Sequence, residues 1–176
     1  IIFEVAKYFI LNFINYEMDD IKNGNEIKIL NIESRLVSDF PVNDIDVDTK
    51  IKGKVDRIDE YNGTLRIIDY KTGIVEPRDL EIGDWGDLTL DYKYSKVIQV
   101  LSYAFMANKT ASYENIEAGI ISFKRLKKGF IKFTQKGKPK QTNITQEIID
   151  KYTIELKKLI LEISDKEIPF KEKDVE

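Results

Sequence analysis

The 176-residue chain is 42% apolar, with nine Phe, nine Tyr and a net charge of −3. That suffices for one folded domain with a sizeable core and excludes a disordered chain. Cysteine and histidine are both absent, which excludes disulfides, iron–sulfur clusters, thiolate zinc sites and imidazole acid–base chemistry.

Any catalysis therefore rests on Asp, Glu, Lys, Tyr or a bound metal ion. The net charge argues against a general nucleic-acid coat protein but leaves room for a local basic face. A chain without cysteine fits a reducing compartment, so the cytoplasm is the expected location. Ile1 stands where an initiator Met would, and the chain is read as a piece of something longer, folded as one domain over residues 1–176.

In chain order, residues 3–22 carry Phe3, Tyr8, Ile10, Leu11, Ile14 and Met18 at helical spacing and predict an amphipathic helix. Glu4, Lys7 and Asn12 interrupt its apolar start, which is too short and too polar to span a bilayer. Residues 28–37 predict a first strand. Residues 51–60 and 64–70 predict two more, joined by Tyr61-Asn62-Gly63, and Asn-Gly between such runs is a strong hairpin signal. Residues 74–94, with Pro77, Gly83, Gly86 and the only Trp, predict a long loop of functional or mobile kind. Residues 95–109 predict a helix capped by Ser95. Residues 116–124 and 129–134 predict a second hairpin, and Thr145 caps a final helix over 146–164. This order implies an α/β fold of the mixed α+β kind, a central mixed sheet flanked by helices.

The chemistry concentrates in the first hairpin, IKGKVDRIDEYNGTLRIIDYKTG. Alternation puts Leu65, Ile67, Asp69 and Lys71 on one face, so that face leaves the core through a carboxylate and an amine. Asp56, in Gly-x-x-Asp, lies on the partner strand, and pairing across the turn brings it towards Asp69, with a bulge left open in the register. Two carboxylates and an ammonium suit a hard cation such as Mg²⁺, which takes one or two carboxylates and keeps water and phosphate in its remaining positions. The plainer alternative is a surface hairpin of solvated charges. On the predicted helix, Gln99 and Tyr103 share a face at i and i+4, and Gln99 interrupts an apolar stripe, so it needs a polar partner.

Together, Gly53-x-x-Asp56, Asp69-x-Lys71-Thr-Gly and Gln99-x-x-x-Tyr103 resemble the PD-(D/E)XK nuclease superfamily and, within it, the RecB/AddB-like nuclease domains. The motifs cover roughly residues 33–125. The resemblance implies a restriction-endonuclease-like core and metal-dependent hydrolysis of DNA. It implies Mg²⁺ or Mn²⁺ held by Asp56, Asp69 and the backbone carbonyl of Tyr70, Lys71 as the catalytic lysine, and Gln99 and Tyr103 lining the site. Glu33 resembles an acidic residue often found on the preceding strand. An exonuclease domain of a helicase–nuclease or repair protein is the implied setting, with DNA and helicase domains or subunits as partners and no membrane. Relatives usually complete the metal shell with a His or Glu on an N-terminal helix, where Glu4 and Glu17 match poorly. The alternative is therefore a DNA-binding module of the same fold that does not cut.

Residues 123–140, FKRLKKGFIKFTQKGKPK, contain no acid. Lys124, Arg125, Lys127, Lys128 and Lys132 among them are candidate contacts to DNA phosphates, against the alternative of a solvated hairpin with a core-facing aromatic side. Pro139 after Gly137-Lys138 rules out a Walker-type phosphate loop.

Overall fold

A computed structural model of the chain describes residues 2–43, 45, 48–108 and 113–169. Helix α1 (Ile2–Lys22) leads into strands β1 (Ile27–Asp39), β2 (Lys50–Tyr61) and β3 (Thr64–Lys71). A two-residue strand β4 (Glu81–Ile82) follows, then helix α2 (Ser95–Asn108), strands β5 (Ile116–Ser122), β6 (Phe130–Lys132) and β7 (Thr134–Gln135), and helix α3 (Gln146–Ser164). The main sheet runs β1-β2-β3-β5-β6, with β3 and β5 parallel and the other neighbours antiparallel. Parallel neighbours need a long crossover, and α2 lies within it. The mixed sheet flanked by helices is the fold class the sequence implies.

The tight turn is made by Asn62 at φ 48° and Gly63 at φ 81°, the pair of positive φ values a two-residue hairpin requires. From it, β2 and β3 pair without a slip, Tyr61 with Thr64 through Arg57 with Ile68. The bulge left open for this pair falls instead between β1 and β2, where Leu30 is skipped as Ile29 faces Asp59 and Asn31 faces Ile58. The core lies on the α2 side of the sheet: Leu65, Ile67, Ala118 and Ile120 pack with Val97, Leu101 and Ala104 of α2 and with Ile148 and Tyr152 of α3. Helix α1 covers the other side, where Phe13 meets Tyr70 and Phe123.

Three expectations change. The segment 74–94 is no bare loop: Val75, Leu80, Ile82 and Leu88 are buried in the core, and short 3₁₀ turns and β4, paired with β7, fill it. Asp91, rather than Ser95, caps the turn that feeds α2, its side chain accepting from the Lys93 amide. The strand expected to reach Lys124 ends at Ser122, and Phe123–Lys128 form a 3₁₀ segment. Lys109, at the end of the helix expected over 95–109, lies outside the described residues. Thr145 accepts from the Ile148 amide as a cap should. Among the described residues no helix is long and apolar enough to cross a membrane.

Candidate active site

Asp69 leaves the core at the end of β3, beside Ile120 of β5, and is only 4% exposed. Gln99 Nε2 donates to Asp69 Oδ1 at 3.0 Å and to the Tyr103 hydroxyl at 3.0 Å. The polar residue in the apolar stripe of α2 thus has the partner it needs, and both amide protons are used. The reversed amide would set Oε1 against the carboxylate, so this orientation is the favoured one. Lys71 Nζ sits 2.9 Å from Asp69 Oδ2 as an ion pair. It lies off the line of a hydrogen bond, and Oδ2 is buried without an aligned donor. Burial pushes the Asp69 carboxyl above its ordinary range, Lys71 works against the rise and Asp56 adds to it.

Asp56 joins from β2 by a different device. Its Oδ2 accepts the backbone N–H of Tyr70 at 2.7 Å, just past the last paired residues of the hairpin, Arg57 and Ile68. The carboxylate therefore replaces a ladder carbonyl at the end of the hairpin and is fixed beside the chain that links Asp69 to Lys71. Gly53, first in Gly-x-x-Asp, has a steric reason: a Cβ there would lie 3.0 Å from the Tyr103 ring and from Met106. A side chain at this position would require the Tyr103 ring and the Met106 methyl to give by a few tenths of an ångström. Burial raises the Tyr103 hydroxyl above its usual pKa, with Gln99 opposing, so it stays protonated.

The five residues read from the motifs, Asp56, Asp69, Lys71, Gln99 and Tyr103, thus lie at one end of the β2–β3 hairpin, on the α2 side. The donors fit a hard divalent cation: the ligand atoms on offer are carboxylate and carbonyl oxygens, and one of them is a buried oxygen with no aligned donor. Among the described residues no three acidic groups cluster as a complete metal cage, so two carboxylates would leave positions for water and substrate phosphate.

Other candidates lie elsewhere. Glu17 faces the opposite side of the sheet, where its Oε1 accepts from Arg57 Nη1 at 2.7 Å. Glu33 is paired with Lys54 at a position with φ 55°. Of the basic set, Lys124, Lys127 and Lys128 carry no ion pair among the described residues. Arg125 is paired with Glu76 at 2.9 Å and Lys132 with Glu117 at 2.8 Å.

One group escaped the reading of the sequence. Asp59, fully buried, accepts both Arg66 Nε and Nη2 at 2.8 Å, while Arg57 Nη2 lies 2.6 Å from it and Arg57 Nη1 also donates to the Tyr70 hydroxyl at 3.3 Å. The signal was available: once Asn62-Gly63 sets the turn, Asp59 and Arg66 face each other across the hairpin.

Compared with known proteins, the chain matches the model of the PD-(D/E)XK nuclease superfamily over residues 8–174. No curated protein and no solved structure matches it.

Proposed function

Because the chain belongs to the PD-(D/E)XK nuclease superfamily, we propose that it hydrolyses DNA phosphodiester bonds with Mg²⁺ or Mn²⁺, using Asp56, Asp69, Lys71, Gln99 and Tyr103. The observation that carries this reading is the buried Asp69 carboxylate, oriented by Gln99 and left with one oxygen lacking an aligned donor. Asp56, Asp69 and the Tyr70 carbonyl would hold the ion, which supplies an acidified water and neutralises charge on the phosphate oxygens.

The residues divide the remaining work. Gln99 spends its donors on Asp69 and Tyr103 and so fixes the carboxylate's direction. Lys71, only partly exposed, keeps its ammonium against Asp69 Oδ2 and offers positive charge where the transition state gains negative charge. The Tyr103 hydroxyl accepts from Gln99 and so keeps its own proton to give to a phosphate oxygen or a water. The finer setting is an exonuclease domain of a helicase–nuclease or repair protein, supported by the likeness of the three motifs to RecB/AddB-like domains.

One observation favours the second reading, a module that binds DNA without cutting it: among the described residues only two acidic side chains converge here, and Glu17 of α1 is committed to Arg57. The deciding experiment incubates the chain with linear DNA and Mg²⁺ or Mn²⁺, with EDTA as control, and measures metal binding by calorimetry. Cutting that disappears in Asp69→Ala and Lys71→Ala supports the nuclease. DNA binding with neither metal uptake nor cutting supports the module.

A further inference from the structure

A groove of roughly 930 Å³ opens between α1 and residues 123–128, on the α1 side of the sheet. Its walls include the rings of Tyr8, Phe9, Tyr16 and Phe123 and the cations of residues 124–128, with Asp19 as the acidic member of the lining. The rings form a series. Tyr70, between Asp69 and Lys71 in the chain, stacks on Phe123 at 5.6 Å and 22°. Phe123 stacks on Phe9 at 6.0 Å and 15°, and Phe9 meets Tyr8 at 6.3 Å. The last ring, Tyr8, is 62% exposed. The series thus starts on the strand that carries the candidate catalytic pair and ends open to solvent.

The cations stand beside this wall. Lys124, Lys127 and Lys128 are exposed and carry no ion pair among the described residues. The groove lies on the opposite face of the sheet from the carboxylates, and the two approach at the strand ends, where Lys71 is in register with Ser122 of β5 and Phe123 is the next residue. The Ser122 hydroxyl donates to the Gly73 carbonyl at 2.7 Å and ties the exits of β5 and β3 together.

On the nuclease reading above, we propose that this groove binds a single strand of DNA that passes the ends of β3 and β5 to or from the catalytic carboxylates on the other face. Its bases stack outward from Tyr8, and its phosphates meet Lys124, Lys127 and Lys128. Rings and cations along one channel are the combination by which proteins hold single strands. A duplex has its base faces covered by its own stacking, so it gains from the lysines alone and nothing from the rings. The groove therefore selects for unpaired strands or frayed ends.

The test is equilibrium binding in EDTA, where no cutting occurs, with a labelled oligothymidylate and a duplex of equal length at several salt concentrations. The oligothymidylate should bind more tightly than the duplex. Tyr8→Ala should weaken it about tenfold, the loss of one stacked base, with the duplex little changed and Tyr8→Trp restoring binding. Replacing Lys124, Lys127 and Lys128 together by Ala should lower the slope of log affinity against log salt by about 2, at roughly 0.7 per phosphate of a single strand. Equal or tighter duplex binding, or a Tyr8→Ala protein that binds the oligothymidylate normally, overturns the proposal. The nuclease reading fails separately: an oligothymidylate held through Tyr8 but never cut with Mg²⁺ or Mn²⁺ leaves the groove standing. DNA that is cut while Tyr8→Ala binds normally does the reverse.

Discussion

Asp59 and Asp69 are both buried carboxylates of the β2–β3 hairpin, one facing α1 and the other facing α2, and their partners differ in kind. Both oxygens of Asp59 accept from Arg66 in a planar two-pronged pair, and Arg57 adds a second guanidinium whose Nη2 lies 2.6 Å away, off the line of a hydrogen bond. Among the described residues Asp69 accepts once, from a neutral amide, and its other oxygen has only the off-line ammonium of Lys71. Burial alone therefore says little about role. A carboxylate saturated by fixed donors holds two layers together, whereas one left short of donors is ready for a ligand that supplies positive charge.

The largest expected effect breaks the closed side. Asp59→Asn leaves buried Arg66 with no ion-pair partner among the described residues and Arg57 with Glu17 alone, and losing one partner of such a set costs about 3–5 kcal/mol. Urea unfolding should show that loss. A change below about 1 kcal/mol would mean the α1 side is no more saturated than the α2 side.

The complementary change opens the comparison from the other side. Lys71→Ala and Asp69→Asn should each lower DNA cutting by about 10²–10³-fold, the scale of removing one preorganised charge from a transition state. Stability should barely fall, and Asp69→Asn should hold or raise it, because the buried carboxyl is already pushed towards its neutral form. Activity assays beside thermal melts separate the two. A melt that falls as far in Asp69→Asn as in Asp59→Asn would erase the distinction.

These two sides were not equally legible in the sequence. The α2 side was, because its residues obey strong local rules: Asn62-Gly63 fixes the register, alternation puts Asp69 and Lys71 on one face, and i,i+4 spacing joins Gln99 to Tyr103. The α1 side was not, since its charges pair across elements far apart in the chain, such as Glu17 with Arg57. The reach of β1 to Asp39 was missed because eight of that strand's thirteen residues are exposed and the inward position beyond Leu36 is the polar Ser38, so its alternation does not show as apolar against polar. The segment 74–94 misled through its Pro and Gly content, while Val75, Leu80, Ile82 and Leu88 lie too irregularly spaced to announce a buried run.

Alkali sharpens the comparison within the α2 side, between its open end and its base. At the base, Tyr152 of α3 shares a 2.6 Å hydrogen bond with Ser102 of α2, and burial pushes its hydroxyl up to about 12 from 10.0. The sign follows from the raised value: unfolded chains ionise Tyr152 from pH 10 while folded ones do not, so stability is full below pH 10. It is then lost as pH rises towards 12, by about 2–3 kcal/mol for a shift of this size. Tyr152→Phe should flatten that part of the curve measured by denaturant unfolding. An unchanged alkaline slope would show that the base of α2 is wetter than its burial indicates.

The smallest effect tests how much of the open end depends on orientation alone. Tyr103→Phe removes the hydroxyl that takes one of the two Gln99 donors and leaves the ring over Gly53 in place. Gln99 then has a spare donor, and its hold on Asp69 Oδ1 loses one of its two fixed points. A net hydrogen bond is worth about 0.5–1.5 kcal/mol, so cutting should fall about two- to tenfold. The loss should lie in kcat rather than KM if the hydroxyl acts by keeping Asp69 aligned or by meeting the phosphate as charge builds. A rise in KM alone would instead make Tyr103 a contact to bound DNA. The open carboxylate would then be oriented by Gln99 without help from the hydroxyl.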